Sequence, residues 1–168
     1  MKGRFTIRTA AVFFALSALL EILTVRVPVP IAGALRGGLA GGAYHAGYAV
    51  LFLTVGAGLW TASRWGASAV YLATVLYSLD RLRYVLDHAG RQAELAGLLA
   101  GYPEIVEAFG VNPLLQAGAL MTLLFVVCWW GFAIYIYVRR GYFALEAGSA
   151  EPGGGGAARP SPGAPLSG

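Results

Sequence analysis

Four charged residues stand where an apolar chain would not be expected to carry them. Glu21 interrupts the apolar stretch Thr9–Val25, and Asp80, Arg81 and Arg83 follow directly on the apolar run Trp65–Leu79. An ionisable side chain among hydrocarbon is costly to keep and by default marks a functional site. Tyr77, Arg81, Tyr84 and His88 recur at helical spacing and share one face; Asp80, Arg83, Tyr84 and Asp87 share the adjoining one. The chemistry these types support is ligand binding or proton transfer in a polar cluster of Glu21, His45, Tyr48, Asp80, Arg81, Arg83 and Tyr84. The competing interpretation is structural. Glu21 and Asp80 neutralise Arg81 and Arg83, or the arginines reach along their aliphatic stems to headgroup water.

Counting about 1.5 Å of rise per residue from Arg8, Arg64 and Trp65 as a common level gives each group a height. Glu21 comes out about 20 Å up, Asp80 and Tyr48 about 22 Å, and His45 and Tyr84 about 28 Å. Three apolar segments therefore bring polar groups to a similar level.

The two histidines suggest a cofactor alternative. Two neutral imidazoles can be axial ligands of haem b, and His45 and His88 fall on the same side of the membrane when their helices pack antiparallel. Tyr44, Tyr48, Tyr71, Tyr77 and Tyr84 are equally compatible with a quinone held between the second and third segments. The expectation is nevertheless no cofactor. His45, Glu21 and Asp80 have the chemistry for a metal, but three helices would have to converge and no local motif supports it, so no metal site is expected. Cys128 is the only cysteine and reads as a small apolar residue beside Trp129 and Trp130.

The glycine-rich stretch Gly33–Gly47 is not a nucleotide loop, because no strand pattern precedes it and no Gly-Lys-Ser/Thr follows. Gly37/Gly41, Gly38/Gly42 and Ala43/Gly47 are instead small-xxx-small pairs that let helices approach closely. Gly37, Gly38, Gly41, Gly42 and Gly47 are the expected surface for a second copy or a partner membrane protein.

The elements that carry these residues follow from composition. Of 168 residues 58% are hydrophobic and 12% charged, with mean hydropathy +0.66. Soluble domains run near 45–50% apolar and about 25% charged, so soluble enzyme classes are excluded first. The net charge of +4 is scattered, which also excludes a nucleic-acid footprint. The fold class expected is all-α integral membrane: a four-transmembrane-helix bundle with spans at 6–26, 40–63, 66–88 and 113–139. Between the third and fourth spans a short amphipathic cap is expected over 91–110, split at Pro103. Residues 1–146 form the membrane domain, and 147–168, rich in Gly, Ala, Pro and Ser, form a disordered tail.

Ala32-Gly33-Ala34 resembles a signal-peptidase site but lies too far beyond the apolar stretch, so the first span is expected to be retained. Arginine and lysine counts favour both termini in the cytoplasm, and the location expected is the bacterial inner membrane, with the lipid bilayer as the surrounding partner. The role expected is a non-enzymatic accessory or ligand-binding protein with its polar cluster near the outer leaflet. The alternative is a membrane redox component binding haem or quinone.

Overall fold

The computed structural model describes residues 4–141 and Phe143; the tail expected at 147–168 lies outside the described residues. Among these, six helices and one small hairpin follow in order: α1 (Arg4–Leu23), β1 (Val29–Ile31), β2 (Ala34–Arg36), α2 (Gly38–Trp60), α3 (Arg64–Leu86), α4 (His88–Leu98), α5 (Pro103–Phe109) and α6 (Val111–Val138). Three of them, α1, α2 and α6, are long and apolar enough to cross a membrane. α3 matches α2 in length, but Asp80, Arg81 and Arg83 lower its apolar content.

α1 packs along α2, α2 on α3 and α3 on α6. The ring closes where Phe14 of α1 meets Trp129 and Phe132 of α6, with centroids 5.2 and 5.8 Å apart. Trp129 also stacks on Tyr77 of α3 at 5.1 Å and faces Phe52 of α2 at 6.3 Å. One ring from each long helix thus fills the centre. Between this layer and the α2–α3 turn, Ile7, Val55, Leu59, Val70 and Ile136 are wholly buried. A polar tie joins α6 to α3 beside that layer: the indole N–H of the exposed Trp130 donates to the buried Ser78 Oγ at 3.1 Å, and Ser78 donates to the Thr74 carbonyl.

Glycine sets the closest helix approaches, though not where the richest glycine run lies. At the α2–α3 turn Gly58 and Gly66 lie backbone against backbone, so a β-carbon on either would collide with the other's main chain. Gly56 lets α2 approach α1 at the Ala11 carbonyl. Of the glycines expected to form a helix interface, Gly41 sits against the Arg36 carbonyl, whereas Gly38 and Gly47 meet nothing within 4 Å.

The hairpin is a feature that Pro28 and Pro30 concealed in the sequence. β1 and β2 pair antiparallel, Val29 with Arg36 and Ile31 with Ala34. Their two-residue turn has positive φ at both Ala32 (52°) and Gly33 (79°), the pattern of a type I′ turn. Pro30 is tolerated because a two-stranded hairpin leaves an open edge where no N–H is required.

α4 and α5 run between α3 and α6, divided by the Leu99–Tyr102 turn, with Pro103 as the first residue of α5. Gly110, with φ +75°, turns the chain from α5 into α6. α6 begins at Val111, with Asn112 and Pro113 inside its first turn.

Candidate functional site

The hairpin and α4 cover the end of the bundle opposite the α2–α3 turn, and beneath them the ionisable residues meet. Glu21, in the last turn of α1, reaches His45 of α2: Oε2 lies 2.7 Å from Nδ1. The other ring nitrogen, Nε2, lies 3.1 Å from the Val27 carbonyl. Gly41, one turn before His45 on the same helix face, makes this possible, because its missing side chain admits the Val27 and Arg36 carbonyls.

The bonding counts protons. A carbonyl only accepts, so Nε2 carries hydrogen. A carboxylate also only accepts, so one further proton must lie between Nδ1 and Glu21, on the ring or on the carboxyl. His45 is 6% exposed, and bulk water does not replace either partner.

A second group centres on Asp80 of α3. Its Oδ2 accepts from Tyr48 at 2.6 Å and from Tyr44 at 2.8 Å, both on α2. Arg81 Nε stands 3.7 Å from the same oxygen. The Arg81 guanidinium lies over the rings of Tyr77 and Tyr48, 5.0 and 5.6 Å from their centroids, where the negative ring faces favour a cation. Asp80 thus takes two phenols and one guanidinium at a single oxygen. Glu21 pairs with a histidine, not with an arginine, and Arg83 is exposed without an ion pair among the described residues.

The third group ties down the cover. Tyr84 of α3 donates to Glu94 of α4 at 2.6 Å, and Arg91 of α4 donates to the Leu115 carbonyl of α6 at 3.1 Å. Asp87, just beyond α3, accepts from the Gly90 and Gly33 backbone N–H groups, capping α4 and holding the hairpin turn at once. Those two donors, Gly90 first, hold its carboxyl below the ordinary carboxylate range.

Between these groups lies a cleft of about 140 Å³, whose lining includes Glu21, Tyr44, His45, Asp80, Arg81 and Arg83, with Tyr84 and Glu94 at the α4 side. Of the cluster proposed from sequence, Glu21, His45, Asp80, Arg81, Arg83 and Tyr84 all line it; Tyr48 stands behind, bonded to Asp80. His88 is exposed at the first position of α4 and lies outside the lining. Iron at His45 would have to displace Glu21 or Val27 from its ring nitrogens.

Glu94 and the Val27 carbonyl were missed in the sequence, while Tyr44 and Asp87 were noted there but not placed in the cluster. Tyr44 was legible, since it lies one turn from Tyr48 on the same face of α2. Glu94 and Val27 carried no signal. Among the described residues no group of three or more His, Cys, Asp and Glu is arranged to hold a metal ion. The chain matches no family model, no curated protein and no solved structure.

Proposed function

We propose that the protein is a four-span membrane protein that acts without catalysis, binding a small polar group in a cleft open to the outer surface. The fourth span is α3. Leu72, Val75, Leu76, Leu79, Leu82 and Leu86 form an exposed stripe along it at helical spacing, continuous in kind with the exposed apolar faces of α1, α2 and α6. Water would not tolerate so large an apolar belt, whereas acyl chains match it. Asp80 and Arg81 turn from that stripe toward the cleft, while Arg83, exposed near the outer end of the stripe's face, reaches the cleft lining from there.

Orientation rests on the two ends. The end with the α2–α3 turn carries Arg4, Arg8, Arg64, Arg139 and Arg140 and, among the described residues, no carboxylate. The covered end carries Arg26, Arg36 and Arg91 beyond the long helices, with Arg81 and Arg83 inside α3. With those two set aside, five arginines against three favour, by the positive-inside rule, both termini in the cytoplasm and the cleft outside. The setting proposed is a bacterial inner membrane.

The observation that carries the binding role is the convergence of charged and phenolic side chains from α1, α2, α3 and α4 on one cleft. Carboxylates and guanidiniums both line it, which suits a small group bearing one cation and one anion. Among the described residues no serine, threonine, cysteine or lysine lines the cleft, and the buried histidine has both nitrogens engaged.

Thiol labelling in a Cys128→Ala background tests this. Cysteine at Gly101, in the α4–α5 turn, is expected to react with a membrane-impermeant reagent from outside, and cysteine at Arg64 is not. Cysteine at Pro30, on the cleft lining, is expected to react more slowly with millimolar phosphoethanolamine present. Reaction at Arg64 but not Gly101 would overturn the orientation; no protection at Pro30 would overturn the cleft as a site for such a group.

A further inference from the structure

We propose that the seam between α2 and α3 is a phospholipid site that takes an ethanolamine headgroup at the cleft and one acyl chain along the groove below it. The proposal rests on the cleft's being open to the outer surface, as argued above, and names its ligand class. A second cavity, an open groove of about 310 Å³, runs between α2 and α3 and shares Tyr44 and Asp80 with the cleft. Its remaining lining is Ala43, Gly47, Tyr48, Leu51 and Leu76.

Polarity along the groove is ordered. Tyr44, Tyr48 and Asp80 lie at its cleft end, while Leu51 and Leu76 lie toward the middle of the bundle. The Ala43–Leu51 segment spans about 12 Å along the helix axis. Gly47 leaves the groove open at its centre, for a β-carbon there would meet nothing within 4 Å. A lipid of the outer leaflet has the same order, head outward and chain toward the midplane.

The head chemistry follows from unused valences. Tyr44, Tyr48 and Arg81 all approach Asp80 at Oδ2, leaving Oδ1 to accept from an ammonium. Arg83, one helical turn on and without an ion pair among the described residues, can take the phosphate. Residues three apart stand about 5–6 Å apart at their β-carbons, a separation suited to the two charges of one phosphoethanolamine. A head with anionic charge alone would face Glu21, Asp80, Asp87 and Glu94 against Arg81 and Arg83. A quinone head brings acceptors only and would leave Asp80 Oδ1 facing another acceptor.

The test is native mass spectrometry of the full chain in detergent with added phosphatidylethanolamine, phosphatidylglycerol or ubiquinone. One phosphatidylethanolamine is expected to be retained, about tenfold more tightly than phosphatidylglycerol. Gly47→Leu, which fills the groove where space is open, is expected to weaken that retention about tenfold, and Leu76→Trp blocks the same groove from α3. Both variants are checked for the wild-type melting temperature. Equal retention of the two phospholipids, preferential retention of ubiquinone, or indifference to both groove variants would overturn the site. Protection of Pro30→Cys by phosphoethanolamine with no lipid preference would remove the groove and leave the cleft reading standing. Lipid retention sensitive to the groove without that protection would do the reverse.

Discussion

Glu21 Oε2 and His45 Nδ1 lie 2.7 Å apart while His45 Nε2 lies 3.1 Å from the Val27 carbonyl, so one imidazole ties α1, α2 and the loop after α1 together. The arrangement separates two substitutions that look alike on paper. Glu21→Gln can donate its amide to a neutral Nδ1, keeping every hydrogen bond and dropping one proton; it is expected to cost less than about 1 kcal/mol. His45→Phe leaves the Glu21 carboxyl without its partner in a half-buried position and is expected to cost about 1–3 kcal/mol. Unfolding in mixed micelles measures both, and equal losses would show that the hydrogen bond alone is not what holds α1 to α2.

Asp80 supports a second contrast. Tyr48→Phe and Tyr44→Phe each remove one donor to Oδ2, with the other phenol and Arg81 remaining, and each is expected to cost about 1 kcal/mol. Asp80→Ala leaves two phenols and the guanidinium facing one another and is expected to cost about 2–4 kcal/mol, because removing one member of a buried charged network strands the rest. Since both phenols bond the same oxygen, the tyrosine effects are expected to vanish in the Asp80→Ala background. A double-mutant cycle checks this; additive losses would mean that the phenols act elsewhere.

Much of this architecture was legible because apolar run length and helical spacing are local properties. The ends of α1, α2, α3 and α6 fall within three residues of the spans expected from sequence. Partner choice was less legible. Heights counted from Arg8 and Arg64 as one level separated Glu21 from His45 by about 8 Å. Arg8 in fact stacks over Trp60, 5.4 Å from its ring, four residues before Arg64. Counting both residues from that contact reduces the gap to about 3 Å, well within reach of a glutamate. The hairpin and the Val27 carbonyl escaped because their roles depend on backbone carbonyls, which every residue has. The tight glycine contact escaped because it joins two glycines on either side of a turn, not a repeat within one helix.

That contact, Gly58 on Gly66, predicts a strong positional effect. A methyl on Gly66 would strike the Gly58 backbone, which cannot rotate away as a side chain could. Gly66→Ala is therefore expected to open the α2–α3 crossing and cost about 2–3 kcal/mol, as overpacking of a close contact does. Gly131→Ala, on α6 with nothing within 4 Å, is the matched control and is expected to be tolerated. Thermal melting of the two variants decides it; indistinguishable losses would mean that the crossing adjusts freely.

Asp87 gives the structure a defined response to acid. Its carboxyl accepts from the Gly90 N–H at 2.9 Å and the Gly33 N–H at 2.7 Å, and these donors favour the charged form. The folded state therefore binds the proton less readily than the unfolded chain, whose carboxyl titrates near 3.8. The sign follows: the junction's full contribution is present above that value and is lost as pH falls through the lower folded value. At neutral pH the Gly33 and Gly90 amides are expected to be protected from exchange, and protection is expected to fall selectively below about pH 4. Asp87→Asn, which can accept a hydrogen bond but carries no charge, is expected to weaken protection at both amides at neutral pH and to remove its dependence on acid. Hydrogen exchange followed by mass spectrometry on peptides spanning the hairpin and the start of α4 measures this, and an acid response surviving in Asp87→Asn would assign it to another carboxylate.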